Sequence, residues 1–160
     1  MIGRINKQLN FAEVFRGLFN PGKDYLVLLR SSGCHSENFS ELAREFQKVA
    51  NLCPSKRLPV RHIFISFDCA EREVSKDFKI EIVNKIIHAM GFADCQYIAV
   101  ELNLYDLYYS EDRALSGIHI VANAVNLQGR KIIDFKDAHK LEEVVREIQL
   151  SLDAGESACS

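Results

Sequence analysis

The spacing of hydrophobic positions changes repeatedly along the chain, and each change marks a predicted element. In His62–Asp68 the residues alternate strictly, with Ile63, Ile65 and Phe67 on one side and His62, Phe64 and Ser66 on the other, which predicts a strand. Phe39, Leu42, Phe46 and Val49 repeat at helical spacing behind Asn38, where Glu41 completes a capping-box arrangement. Ser75 opens a second helix carrying Phe78, Ile82, Ile86 and Met90, and Gly91 ends it. A third, Ala138–Leu152, turns Leu141, Val144, Val145, Ile148 and Leu152 to one face. Gln96–Leu102, Ile118–Val125 and Lys131–Phe135 read as strands, the last two joined through Asn126-Leu127-Gln128-Gly129 as a hairpin. Nearer the start, Ala12–Phe19 is a short helix stopped by Asn20-Pro21-Gly22, and Tyr25–Leu29 is a short strand. Met1–Phe11 is polar and reads as loosely ordered, and Asn103–Ser116 as a long loop with three tyrosines.

The central order is strand, helix, strand, hairpin, helix. It predicts an α+β sandwich with a mostly antiparallel sheet and helices packed on one side. A length of 160 residues, nearly half of them hydrophobic, suits one domain, read as residues 1–155 with a frayed tail at 156–160.

Charge changes the picture only locally. The net charge of −2 argues against a strongly electrostatic nucleic-acid binder. Yet Met1–Arg61 holds ten Lys and Arg against five Asp and Glu, so the first third is basic. Arg16, Lys23, Lys56, Arg57 and Arg61 are its candidate phosphate contacts, against the plain alternative of a solvated basic surface. The five cysteines contain no C-x-x-C pair, and Cys34-His35 has no identifiable third member of a nucleophilic triad. No secretory signal occupies Met1–Phe11 and no apolar run approaches membrane-spanning length, so the expected setting is cytoplasmic, with no membrane contact.

The candidate chemistry lies in Ser116–Val125. Alternate residues of a strand share a face, so a His-x-His pair can offer two imidazoles to one metal ion. Here His119 holds the downstream position and Gly117 the upstream one.

Four stretches then carry a resemblance. They are Phe15-Arg16-Gly17-Leu18-Phe19 behind Met1-Ile2-Gly3; Glu41-Leu42-Ala43-Arg44-Glu45-Phe46; Leu58-Pro59-Val60-Arg61-His62-Ile63-Phe64-Ile65-Ser66-Phe67; and Met90-Gly91-Phe92 with Gln96-Tyr97-Ile98-Ala99-Val100 and His119-Ile120-Val121-Ala122-Asn123. In this order and spacing the chain resembles the relaxase, or mobilisation nuclease, domain of plasmids and conjugative elements, from Met1 to about Phe135. The resemblance implies a relaxase-like two-layer sandwich. It also implies a transesterification on single-stranded DNA, in which a tyrosine attacks a phosphodiester while three histidines hold a divalent cation. A phenol is a poor nucleophile at neutral pH, and the phosphate repels it until a metal neutralises the charge.

The departures fall on that machinery. The nucleophile's position is Gly17, the family's Arg-His pair is Glu101-Leu102, and the first histidine of the pair is Gly117. His119 matches the metal triad, His62 is the retained strand histidine, and Asn123 follows on the face of His119. The resemblance therefore implies a relaxase-like domain without strand nicking, binding at most single-stranded DNA or mobilisation accessory proteins, with no small-molecule cofactor.

Two other readings stand beside it. In one, a displaced Tyr25, Tyr105, Tyr108 or Tyr109 nicks DNA with Mg or Mn held by His119, Glu101 and Asp112, since those ions prefer oxygen ligands. In the other, favoured by the near-neutral charge, the chain is a protein-interaction module with no DNA role. On any reading, the plain alternative for His119 without its partners is a hydrogen-bonded core histidine.

Overall fold

The structure, a computed structural model, describes residues 1–19, 26–68, 74–103 and 116–155. In chain order the elements are β1 (Ile2–Gln8), α1 (Phe11–Phe19), β2 (Leu26–Ser32), α2 (Phe39–Ala50), β3 (Val60–Ser66), α3 (Lys76–Ala89), β4 (Cys95–Leu102), β5 (Gly117–Asn126) and α4 (Asp137–Gly155). The strands form one five-stranded sheet in the order β1-β3-β5-β4-β2, with every neighbouring pair antiparallel. The class is α+β with an antiparallel sheet, as the hydrophobic pattern predicts.

The capping residues act as their chemistry requires. The Asn38 side chain accepts from the Ser40 amide at 2.9 Å, and Ser75 Oγ accepts from the Phe78 amide at 3.2 Å, so each satisfies an amide that the first helical turn leaves without a partner. Gly91 ends α3 at a positive φ of 80°, beside a Phe92 amide that returns to the Ile87 carbonyl at 2.9 Å.

The helices divide between the two faces, where the sequence pattern predicts one helical side. α3 and α4 pack Ile82, Ile86, Leu141 and Ile148 onto Ile63, Ile65, Ile118 and Ile120. α1 and α2 pack Phe11, Phe15, Leu42 and Phe46 onto Val60, Leu102 and Val121, residues of the opposite face. The reason lies in β5. It is the central strand, buried from Gly117 to Val125 and apolar at almost every position, so both of its faces need cover.

Two segments differ from expectation. Ile2–Gln8 is an ordered edge strand rather than a loose start, paired with β3 from Ile2↔Ser66 to Gln8↔Val60. Its polar character is that of an edge: Arg4 and Asn6 are exposed, while Gly3 and Ile5 turn inward. Conversely, Lys131–Phe135 is not a strand. Only the Val125↔Lys131 bridge and the Ile132 amide to the Ala124 carbonyl, at 2.8 Å, continue the hairpin. Beyond them Asp134 is drawn to Lys56 at 2.8 Å, to Lys7 at 3.3 Å and to Arg61, which takes the chain off the sheet edge. The expected tail at 156–160 and the loop residues 104–115 lie outside the described residues.

Candidate functional site: a histidine pair in the central strands

Register brings the strand histidines together. Phe64 lies opposite His119 and His62 opposite Val121, so His62, Phe64 and His119 share one face of β3 and β5. His62 Nε2 and His119 Nδ1 stand 2.9 Å apart, a hydrogen bond in which one ring donates and the other accepts. The Phe64 ring stacks on His119 with centroids 4.5 Å apart. His119 is 1% exposed.

The surroundings of His62 favour its neutral form. Burial, and then the nearness of His119, lower the His62 pKa from about 6.5 to about 4. The consequence for stability has a definite sign. The unfolded chain takes up this proton as the pH falls through about 6.5, while the folded chain resists it until about 4. Stability is therefore full above about 6.5 and is lost as the pH falls. At pH 5 the loss from this group is about 2 kcal/mol. Urea denaturation at pH 7 and at pH 5 checks it, and His62→Gln is expected to flatten the difference.

Gly117 is more than a missing histidine. Its φ is 145°, and a Cβ added there would stand 2.3 Å from the Ile65 carbonyl oxygen and 2.9 Å from the Phe64 ring. The neighbouring strand occupies the place where a side chain would begin. Gly17 is the contrary case: it is exposed on α1, with nothing within 4 Å of its added Cβ.

The other candidates separate by face. Glu101 pairs with Ile118, not His119, and its carboxylate meets Lys79 of α3 in an ion pair beneath the sheet. The reversed charge at this position is thus answered inside the fold. Asn123, wholly buried, donates to the Phe46 carbonyl at 2.9 Å and to Gln96 Oε1 at 3.1 Å, and accepts from the Val125 amide at 3.1 Å. It fastens β5 to α2 and β4.

Of the basic candidates, Arg61 is 1% exposed and bound to Asp134, and Lys56 shares that carboxylate. Arg16 and Arg57 are exposed. Tyr25, Tyr105, Tyr108, Tyr109, Asp112 and Lys23 lie outside the described residues. Tyr97, the tyrosine that is described, is buried on the face away from His119 and accepts from Arg30 Nε at 2.8 Å. Burial pushes the Cys34 thiol up to about 11, so it is no nucleophile at neutral pH.

Sequence reasoning missed Arg4. It stands opposite Phe64 on the histidine face and is exposed, and only the pairing of β1 with β3 brings it there.

A metal ion needs several donors in fixed geometry. Among the described residues no three His, Cys, Asp or Glu side chains are placed to hold one. The histidine pair spends one nitrogen of each ring on its own hydrogen bond, and a cation seated between the rings would break it. The described residues therefore do not fit a three-histidine cation site.

The described residues form an α+β arrangement built on an antiparallel five-stranded sheet, with a buried histidine and asparagine on its central strand. The chain matches the model of the relaxase MobA/VirD2-like nuclease domain over residues 18–153, and it belongs to that family. No curated protein and no solved structure matches it. The family places the chain in a mobilisation-related, nuclease-like role, and no helix among the described residues is long and apolar enough to cross a membrane.

Proposed function

We propose that this chain is a relaxase-family domain that no longer nicks DNA and retains binding to nucleic acid or to mobilisation partner proteins. The observation that carries the reading is the Ile65 carbonyl standing where a side chain at position 117 would begin. Loss of a ligand by substitution alone could be reversed by one change. Here the backbone of β3 occupies the position, with the Phe64 ring beside it. Two further observations support it: the mutual hydrogen bond of His62 and His119, and the engagement of Glu101 by Lys79 on the far face. Arg4, Arg16 and Arg57 are exposed cations available to meet phosphates, which suits modest and salt-sensitive binding.

The test is a covalent-adduct assay with Mg or Mn on a library of single-stranded origin sequences. Wild type and Gly17→Tyr are both expected to give no protein–DNA adduct. Because position 17 faces open space, the tyrosine variant is expected to fold with unchanged stability, which circular dichroism checks. A wild-type adduct abolished by a Tyr→Phe change at Tyr25, Tyr105, Tyr108 or Tyr109 would overturn the proposal.

A further inference from the structure

The segment 131–136 leaves the sheet as a strap that ends in a turn at 135–136, and exposure alternates along it from Lys131 to Phe135. Ile132 packs against the core and Asp134 turns in to its three cations, whereas Ile133 is 82% exposed and Phe135 is 71% exposed. These are the two most exposed large hydrophobic side chains among the described residues. Leu58 and Leu9 are exposed apolar side chains on segments that adjoin the same ion cluster. The Leu58 carbonyl accepts from Arg61 at the same ion cluster, and Leu9 follows the Gln8↔Val60 pair beside it.

Around this apolar centre the charge is positive, although the chain as a whole carries −2. Lys7, Lys56 and Arg61 converge on Asp134; Arg57 and Leu58 continue the same turn; Lys131 begins the strap, and Lys136 ends it with its ammonium 5.3 Å from the Phe135 ring centroid. Asp134 and Asp137 are the acids set among these six cations. Asp134 also fixes the geometry. A carboxylate held by three cations from β1, the turn before β3 and β3 itself keeps the flanking Ile133 and Phe135 pointed outward.

We propose that this strap is a docking surface for an acidic, apolar-bearing segment of a partner protein. Exposed apolar side chains within a charged rim have the anatomy of a protein interface, and the sign of the rim selects an acidic partner. Nucleic acid fits less well. The innermost cations are already engaged by Asp134 and Asp137, and Phe135 is the single ring of the patch, since Ile133, Leu58 and Leu9 give no further ring on which successive bases could stack. The surface is also separate from the histidine pair, because Arg61 and His62 point to opposite faces of β3. The proposal is therefore independent of whether the domain nicks DNA.

Fluorescence anisotropy tests it with a labelled peptide alternating Glu with Leu and Phe, a lysine-for-glutamate counterpart and an oligothymidylate. The acidic peptide is expected to bind saturably and to weaken with salt. Ile133→Ser with Phe135→Ser should weaken it by about tenfold or more, and Lys131→Glu with Lys136→Glu should do the same. All four positions are exposed, so the variants are expected to keep wild-type circular dichroism and thermal midpoint. Three results would overturn the proposal: no saturable binding of the acidic peptide, equal binding of the lysine peptide, or binding unchanged in both variants. Loss of oligothymidylate binding in the same variants would reassign the surface to nucleic acid. Self-association that Ile133→Ser abolishes would reassign it to a second copy of the chain.

Discussion

Gly117→His, the substitution that rewrites the family's histidine pair, is expected to cost about 4 kcal/mol of folding stability and to gain no affinity for a divalent cation. Two costs combine. At a φ of 145° a residue with a Cβ is strained, by about 1–3 kcal/mol. The Cβ must also displace the Ile65 carbonyl from 2.3 Å, and that carbonyl belongs to β3, which is paired on both sides. Forcing atoms into such a site costs about 1–3 kcal/mol more, because central strands cannot shift without breaking their ladders. The clash begins at Cβ, so Gly117→Ala should already show most of the loss. Gly17→Tyr, into open space, should show none. Urea denaturation measures the stabilities, and titration calorimetry with Mn measures the metal. A histidine variant with wild-type stability and new Mn binding would show that the site can be rebuilt, and would remove the main support for lost nicking.

Much of the fold was legible because the cues were local. The alternation in His62–Asp68, the caps Asn38 and Ser75, and the stop at Gly91 each rest on residues close in sequence. β1 was hidden because an edge strand with one inward face carries only Gly3 and Ile5 as its signal, and a glycine does not register as apolar. The strap was misread for the opposite reason. Its residues alternate like a strand, but Asp134 finds three cations that are distant in sequence, and they outweigh a continued ladder.

The site divides in the same way. That Gly17, Glu101 and Gly117 depart from the family could be read from the letters alone. What each departure means could not. Glu101 alternates to the face of α3, where Lys79 neutralises it; Gly117 abuts a carbonyl; Gly17 faces open space. Three losses that look alike in sequence have three different surroundings. The contact of His62 with His119 likewise needed the β3–β5 register, since 57 residues separate them.

Asp134→Ala is expected to destabilise the protein by about 3 kcal/mol, more than an exposed ion pair could account for. The reason is Arg61. Its side chain is 1% exposed, and without Asp134 the remaining acid within reach is Asp137 at 3.9 Å, too long for a hydrogen bond. A buried guanidinium short of its counter-charge carries a large desolvation penalty. Replacing both partners, as Arg61→Met with Asp134→Leu, should cost less than the sum of the two single changes, because the buried charge disappears together with its acid. The pH dependence separates charge from packing. Hydrogen bonds from Lys56, and further support from Arg61 and Lys7, hold the Asp134 carboxyl well below its ordinary 3.8. An acid lowered on folding stabilises the fold above its unfolded pKa, and that contribution is lost as the pH falls through the acid range. The gap between wild type and Asp134→Asn is therefore expected to stay constant above about pH 5 and to narrow below about pH 4. A gap independent of pH would assign the effect to packing. Additive single and double substitutions would show that Arg61 and Asp134 are not coupled, and the strap would then need another anchor to keep Ile133 and Phe135 outward.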